Sequence, residues 1–340
     1  MPSPQPPANP FDFRPLPLLR NPHVQTLLGH LWPCPKWSHP VRRHVVRVSD
    51  GDAVTLYDTT PPGWSPGGPI ALLVHGLTGS HRSPQVQRLA TFLLPQGWRV
   101  VRMDLRGARP SIDLSRQTYH AGRSDDVRAA VEEVHAWSPT SPITAVGFSL
   151  GGNLVLKLGG EAADHPVPGL SRIGSLAPPI DLERCAVLIA RPQNRLYNSY
   201  FVRELIQEAQ LRQHHFPDLP PLRFPRRMTI RLFDDLYTAP RCGFADALDY
   251  YRRVSAFRLL PRIRVPTFIL TARDDPFIAV EPFEALRLPA NVALRIVPYG
   301  GHLGFLGWDG AGGYRWAERR IAEWIVSGRD ERDGVISDAS

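Results

Sequence analysis

The chain has 340 residues, 43% of them hydrophobic and 21% charged, and a formal charge of +8. That length allows one large α/β domain or two ordinary ones, and the balance is that of a globular protein rather than a disordered or fibrous one. No apolar run approaches the roughly 18–20 residues that span a bilayer, and three scattered cysteines, Cys34, Cys185 and Cys242, give neither a disulfide framework nor a metal-ligand spacing.

The cysteine usage fits a reducing compartment, so a cytoplasmic location is expected. Residues 1–10 lack the apolar stretch of a secretory signal and read as a frayed, proline-stiffened lead-in. The cations are almost all arginine, and they are densest between residues 180 and 264, including Arg223, Arg226, Arg227, Arg252 and Arg253. Their plainest role is a solvated surface. The alternatives are a site for anionic or amphipathic substrates and weak association with an acidic membrane surface. Nucleic acid is not an expected partner, because no helix-turn-helix, zinc finger or aromatic RNA-binding strand is present to direct the charges.

Residues 1–40 read as an N-terminal arm containing Arg20-Asn-Pro-His-Val-Gln-Thr26, in which His23 shapes a turn or packs on the core. Alternating residues from Arg42 to Ser49 and from Ala53 to Thr59, split by Asp50-Gly51-Asp52, predict a hairpin. Ile70–Val74 is a continuous apolar run suited to a strand buried on both faces, and it empties into His75-Gly-Leu-Thr-Gly-Ser80. A helix over Ser83–Leu94, a strand over 99–103, a helix over Ser124–Trp137 and a strand leading into Gly147 follow. Buried strands alternating with helical patterns predict an α/β fold with a mostly parallel sheet and helices on both faces. After a strand over 173–177 the pattern changes, and residues 179–264 read as a helical cap insertion with helices over Tyr197–Leu211 and Phe244–Val254 around a loop from Phe216 to Arg227. Residues 41–178 and 265–328 are then two parts of one core, the second ending in a helix over Tyr314–Val326. The polar tail 329–340 is expected to be disordered.

The chemistry centres on Gly147-Phe-Ser-Leu-Gly-Gly152, which sits between a strand and a helix. A serine at the apex of such a turn is held in a strained conformation, and crowding requires small neighbours two residues away on each side. Asp274 or Asp275, after the strand over 265–271, and His302, after the strand over 292–297, follow Ser149 in the chain order of an α/β-hydrolase triad. A serine hydroxyl is a weak nucleophile until an imidazole takes its proton, and a carboxylate must fix the imidazole tautomer. Asp275, immediately before Pro276, is the preferred acid, whereas Asp274 is placed to hydrogen-bond the turn backbone. The backbone N–H groups of Leu77 and Leu150 are the expected oxyanion donors, each worth roughly 2.7–4 kcal/mol of transition-state stabilisation. A plain turn is the competing account of the His-Gly pair.

Those motifs also carry a resemblance. Asn21-Pro-His-Val-Gln-Thr, His75-Gly-Leu-Thr-Gly-Ser, Tyr119-His-Ala-Gly, Gly147-Phe-Ser-Leu-Gly-Gly-Asn, Phe233-Asp-Asp-Leu-Tyr-Thr-Ala, Tyr250-Tyr251, Asp274-Asp-Pro-Phe and Gly300-Gly-His-Leu-Gly-Phe span residues 11–306. The chain resembles the YheT-like branch of the α/β-hydrolase superfamily (the AB hydrolase 4 family). That resemblance implies an esterase working through Ser149, Asp275 and His302 without a cofactor or metal. The expected substrate is a small carboxylic ester of short- to medium-chain or lipid-like acyl group. An acyltransferase or thioesterase with the same triad, and a non-catalytic binding protein on the same scaffold, are the alternatives. Arg106-Gly-Ala-Arg-Pro departs from the branch, which has Cys or Ser then Gly after Arg-Gly, and the arginine-rich insertion departs as well. Oligomeric state is not readable from the chain.

Overall fold

The computed structural model describes residues 13–31, 34 and 37–328. The lead-in 1–10 and the tail 329–340 lie outside the described residues. Eight strands form one sheet in the order β1-β2-β4-β3-β5-β6-β7-β8: β1 (Arg42–Arg47), β2 (Ala53–Thr59), β3 (Ile70–Val74), β4 (Arg99–Asp104), β5 (Ile143–Phe148), β6 (Leu170–Leu176), β7 (Thr267–Ala272) and β8 (Val292–Val297). The β1–β2 hairpin and the β2–β4 pair are antiparallel, and every later pair is parallel. β3, β4, β5 and β7 are buried along their whole length, which explains the unbroken apolar run of β3, while β4 is buried together with Arg99, Arg102 and Asp104.

Helices cover both faces. Among the helices, α1 (Pro22–Leu31), α2 (Pro84–Leu93), α3 (Ser124–Trp137), α4 (Leu150–Glu161), α5 (Leu182–Ile189) and α6 (Arg195–His215) matter most here, with a C-terminal helix at Trp316–Ser327. Val127, Val131 and Val134 of α3 and Leu154 and Leu158 of α4 enter one core. Val86, Leu89 and Leu93 of α2 and Trp316, Ile321 and Ile325 of the C-terminal helix enter the other. The chain leaves β3 for β4 on one side and returns to β5 on the other, so the strand order reverses between β3 and β5. In open α/β sheets the crevice beyond the carboxyl ends of the strands at such a point is where ligands bind.

The N-terminal arm differs from the sequence reading, because it contains α1. Asn21 Oδ1 accepts from the N–H groups of His23 (2.9 Å) and Val24 (3.2 Å), and Pro22 occupies the first helical turn, the cap-then-proline start of a helix. The helix docks on the loop after β8. Buried Gln25 donates to the carbonyls of Leu19 (2.7 Å) and Leu306 (3.2 Å) and accepts from Leu306 N–H (2.7 Å). A Cβ on Gly29 would lie 2.6 Å from Gly304 Cα, so the helix can approach that closely only with glycine there.

Between β6 and β7 the chain runs through α5, α6, one π-helical turn (Asp234–Thr238) and a helix at Ala247–Val254. The last begins three residues later than the apolar pattern predicts because Asp246 caps it, accepting from Asp249 N–H at 2.7 Å. α6 outruns its predicted bounds at both ends, since its buried polar face (Asn198, Glu208, Arg212) does not register in an apolar pattern.

Replacing Gln25 by Leu would leave two backbone groups unpaired at the α1 contact, Leu19 O and Leu306 N–H, while Leu306 O keeps its bond from Leu16 N–H. The expected cost is about 2–5 kcal/mol, read as a fall of roughly 3–7 °C in the thermal midpoint. A midpoint within one degree of wild type would show that α1 is not held by these bonds.

Candidate active site

β5 delivers Ser149 into a backbone conformation of φ +51° and ψ −120°, one that side chains other than glycine rarely adopt. The turn is possible because nothing crowds it. A Cβ on Gly147 would collide with the Gly151 carbonyl, and one on Gly151 with the carbonyls of Val74 and His75. Ser149 N–H donates to Leu176 O on β6 at 2.9 Å, and Asn153 pins the first turns of α4 by donating to the carbonyls of Ala121 (2.9 Å) and Val254 (3.1 Å) while accepting from Ala256 N–H (2.9 Å). The N-terminus of α4 thus points its free N–H groups at the serine side of the crevice.

The loops after β7 and β8 bring Asp275 and His302 to the same place. Ser149 Oγ lies 3.0 Å from His302 Nε2, and His302 Nδ1 lies 2.7 Å from Asp275 Oδ2. The other Asp275 oxygen accepts from the N–H groups of Phe277 and Ile278, both at 3.0 Å, so the carboxylate is oriented from behind. Asp274 points elsewhere: its Oδ1 accepts from Gly301 N–H at 2.9 Å, and burial pushes its carboxyl up to about 6. His302 is held on two further sides. Its N–H donates to Thr26 Oγ1 on α1 at 2.9 Å, and Phe277 packs on the ring at 4.2 Å between centroids. Thr26 and Phe277 each end a motif that carries the resemblance, but their roles beside His302 do not read from the sequence, because both act only through the three-dimensional approach of distant loops. His23 stacks on Tyr197 of α6, with centroids 5.7 Å apart, and Tyr197 in turn packs on Phe277 at 5.3 Å.

The loop after β3 lies against the serine turn, since a Cβ on Gly76 would sit 3.1 Å from Ser149 Cβ. His75 is buried inside it. Its Nε2 accepts from Leu105 N–H (3.1 Å), so Nδ1 carries the proton and donates to Gly76 O (2.7 Å). Burial lowers the His75 pKa, in keeping with that neutral state. Neither the Leu77 nor the Leu150 N–H donates to an acceptor among the described residues.

A mostly apolar pocket extends from Ser149, walled by Leu150, Phe201, Leu205, Ile230 and Phe277 among others. Its polar lining includes Asp234, which accepts from Tyr251 Oη at 2.6 Å and whose carboxyl burial pushes up to about 6. His120 also lines it, lowered by burial to about 3 and therefore neutral. Among the described residues no group of three or more His, Cys, Asp and Glu could hold a metal ion, and no helix is long and apolar enough to cross a membrane.

Comparison with known proteins agrees with this architecture. A model of the alpha/beta hydrolase fold matches residues 69–307. The chain is 32% identical over 326 residues to an Escherichia coli protein named "Putative esterase YheT", the match covering 93% of each. It is 27% identical to the Saccharomyces cerevisiae medium-chain fatty acid ethyl ester synthase/esterase 2, over 76% of this chain and 62% of that protein. Among solved structures, a 2,6-dihydroxy-pseudo-oxynicotine hydrolase superposes with a TM-score of 0.57 at 18% identity, covering 91% of this chain and 73% of that one.

The raised Asp234 carboxyl makes a linkage prediction. Its folded pKa lies above the unfolded value, so its ionisation destabilises the folded state as pH rises through about 6. Asp234→Asn keeps an acceptor for Tyr251 but cannot ionise, and at pH 8 it is expected to be more stable than wild type by up to roughly 3 kcal/mol. That advantage should shrink as pH falls toward 4. A difference in urea midpoint that stays constant from pH 8 to pH 4.5 would contradict it.

Proposed function

The chain belongs to the alpha/beta hydrolase fold family, in its YheT-like branch, and from that membership we propose that it hydrolyses carboxylic esters through an acyl-enzyme on Ser149. The observation that carries this reading is the continuous contact from Ser149 Oγ through His302 to Asp275, at 3.0 and 2.7 Å. Ser149 Oγ attacks the ester carbonyl while His302 Nε2 takes its proton. The Asp275 carboxylate holds the tautomer and stabilises the imidazolium. The oxyanion is received by the N–H groups of Leu77 and Leu150 at the start of α4. His302 then gives its proton to the departing alcohol; water, deprotonated by the same imidazole, attacks the acyl carbonyl, and the imidazolium returns that proton to Ser149 Oγ as the acid is released. No cofactor takes part in these steps.

The apolar pocket suits a short- to medium-chain or lipid-like acyl group. Residues 179–264 act as its cap, inserted in a core of residues 41–178 and 265–328. Transfer of the acyl group to an alcohol instead of water is a second reading, favoured by the synthase/esterase name of the yeast relative. We place the protein in the cytoplasm, in line with its three free cysteines. Exposed Leu18, Leu27, Leu31 and Leu196, with the arginines of the cap, support weak association with an acidic membrane surface.

Ser149→Ala is expected to abolish labelling by a fluorophosphonate probe and to lower nitrophenyl ester hydrolysis by roughly 10⁴-fold or more, with the thermal midpoint unchanged. Hydrolysis that survives the substitution would overturn the mechanism. A series of ester chain lengths would size the pocket, and added ethanol would divert product to ethyl ester if transfer competes. Sedimentation with vesicles should depend on anionic lipid and weaken with salt; equal binding to neutral vesicles would refute the electrostatic account.

A further inference from the structure

Three features that the triad leaves unused meet at one hydroxyl. Thr78, next to Leu77, holds φ +57°, a conformation that costs a β-branched residue about 1–3 kcal/mol unless its surroundings impose it. Its N–H donates to Tyr119 Oη at 2.8 Å. Tyr119 begins the Tyr-His-Ala-Gly motif, is almost fully buried, and lines the pocket beside Leu77. Its own hydroxyl lies 3.0 Å from Glu208 Oε2 on α6. Glu208 is buried, with Oε1 lacking a hydrogen-bond partner and Arg109 Nε 3.9 Å away.

Donor counting fixes the direction of this chain. An N–H can only donate, so the Tyr119 oxygen must accept from Thr78, and its single proton goes to Glu208. The preceding peptide of the loop is fixed from the other end. Gly76 O accepts from His75 Nδ1 at 2.7 Å and from Gly79 N–H at 3.1 Å. In a trans peptide the Leu77 N–H points opposite to that carbonyl. Leu77 is therefore clamped on both sides, and one clamp is a carboxylate from the helical segment between β6 and β7.

We infer that Tyr119 and Glu208 are positioning residues for the oxyanion-binding loop, so that α6 helps to aim the Leu77 N–H as well as walling the pocket. This rests on the esterase reading above. Losing the clamp should weaken binding of the tetrahedral oxyanion and spare ground-state binding.

The test uses the full-length protein, and fluorophosphonate labelling of wild type and Ser149→Ala comes first. A wild type that neither labels nor hydrolyses esters would overturn the esterase reading itself. With an active wild type, Tyr119→Phe is expected to lower kcat by about 10- to 100-fold, less than the roughly 10²- to 10³-fold of an oxyanion donor removed outright because the donor is misaimed rather than lost, with KM changed less than twofold. Affinity for an alkylboronic acid, whose serine adduct carries the oxyanion, should fall by a matching factor. Glu208→Leu should behave like Tyr119→Phe, the double variant should be no worse than either, and Glu208→Gln, which keeps an acceptor, should retain at least a third of kcat. If Tyr119→Phe does not fold, the contrast between Glu208→Leu and Glu208→Gln carries the same comparison. An unchanged kcat, a fall in kcat without loss of boronate affinity, or losses that multiply in the double variant would each overturn the positioning role.

Discussion

The strained turn at Ser149 is the constraint to which the rest of the molecule is fitted. A serine at φ +51° is tolerable only if the strand before it and the helix after it are both locked. β5 is locked by parallel pairing on both sides, to β3 and β6, and α4 by the three hydrogen bonds of Asn153. The glycines at 147 and 151 are the steric counterpart, since each brings backbone within a distance that a methyl group would forbid. The strain keeps the hydroxyl proud of the sheet, where loops from β3, β7 and β8 can converge on it.

Much of this was legible in the sequence because it rests on local rules. The elbow reads from glycine spacing, the buried strands from continuous apolar runs, and α3 from a helical pattern with Asp125 and Asp126 in its first turn. The family resemblance spanned the same motifs. What escaped is what depends on long-range approach. Nothing near Thr26 announces that its hydroxyl supports His302, 276 residues away. α1 was hidden in a stretch rich in proline and aromatics, although Asn21-Pro22 is a sound helix start. The π-helical turn at Asp234–Thr238 has no periodicity of its own, and Glu208 reads as one more polar residue of an amphipathic helix until burial gives it a partner.

Two kinds of buried charge stand in contrast. Arg106 is enclosed with Asp126 and Asp50 beneath the loop after β4, and Arg99 makes a bidentate pair with Asp58 at 2.8 Å; in both, each charge has its opposite. Such pairs hold geometry more than they add stability. Asp234, Asp274 and Glu208 are different, because hydroxyl or amide donors rather than a guanidinium are their hydrogen-bond partners; burial pushes their carboxyls up, as it does that of Asp126. All three lie along the crevice, its loops or its covering helices, where a dry, preorganised environment favours charge development on a substrate at the cost of local stability.

The contact between Thr26 and His302 has a bearing on biosynthesis. The serine, the loop after β3 and most of the sheet can leave the ribosome while the histidine is still inside the exit tunnel. α1 precedes every strand of the sheet, yet its docking partner, the segment from Gly301 to Leu306, follows all of them. On the proposed mechanism, Ser149 is therefore a strained hydroxyl without its proton acceptor until α1 and the segment after β8 have docked.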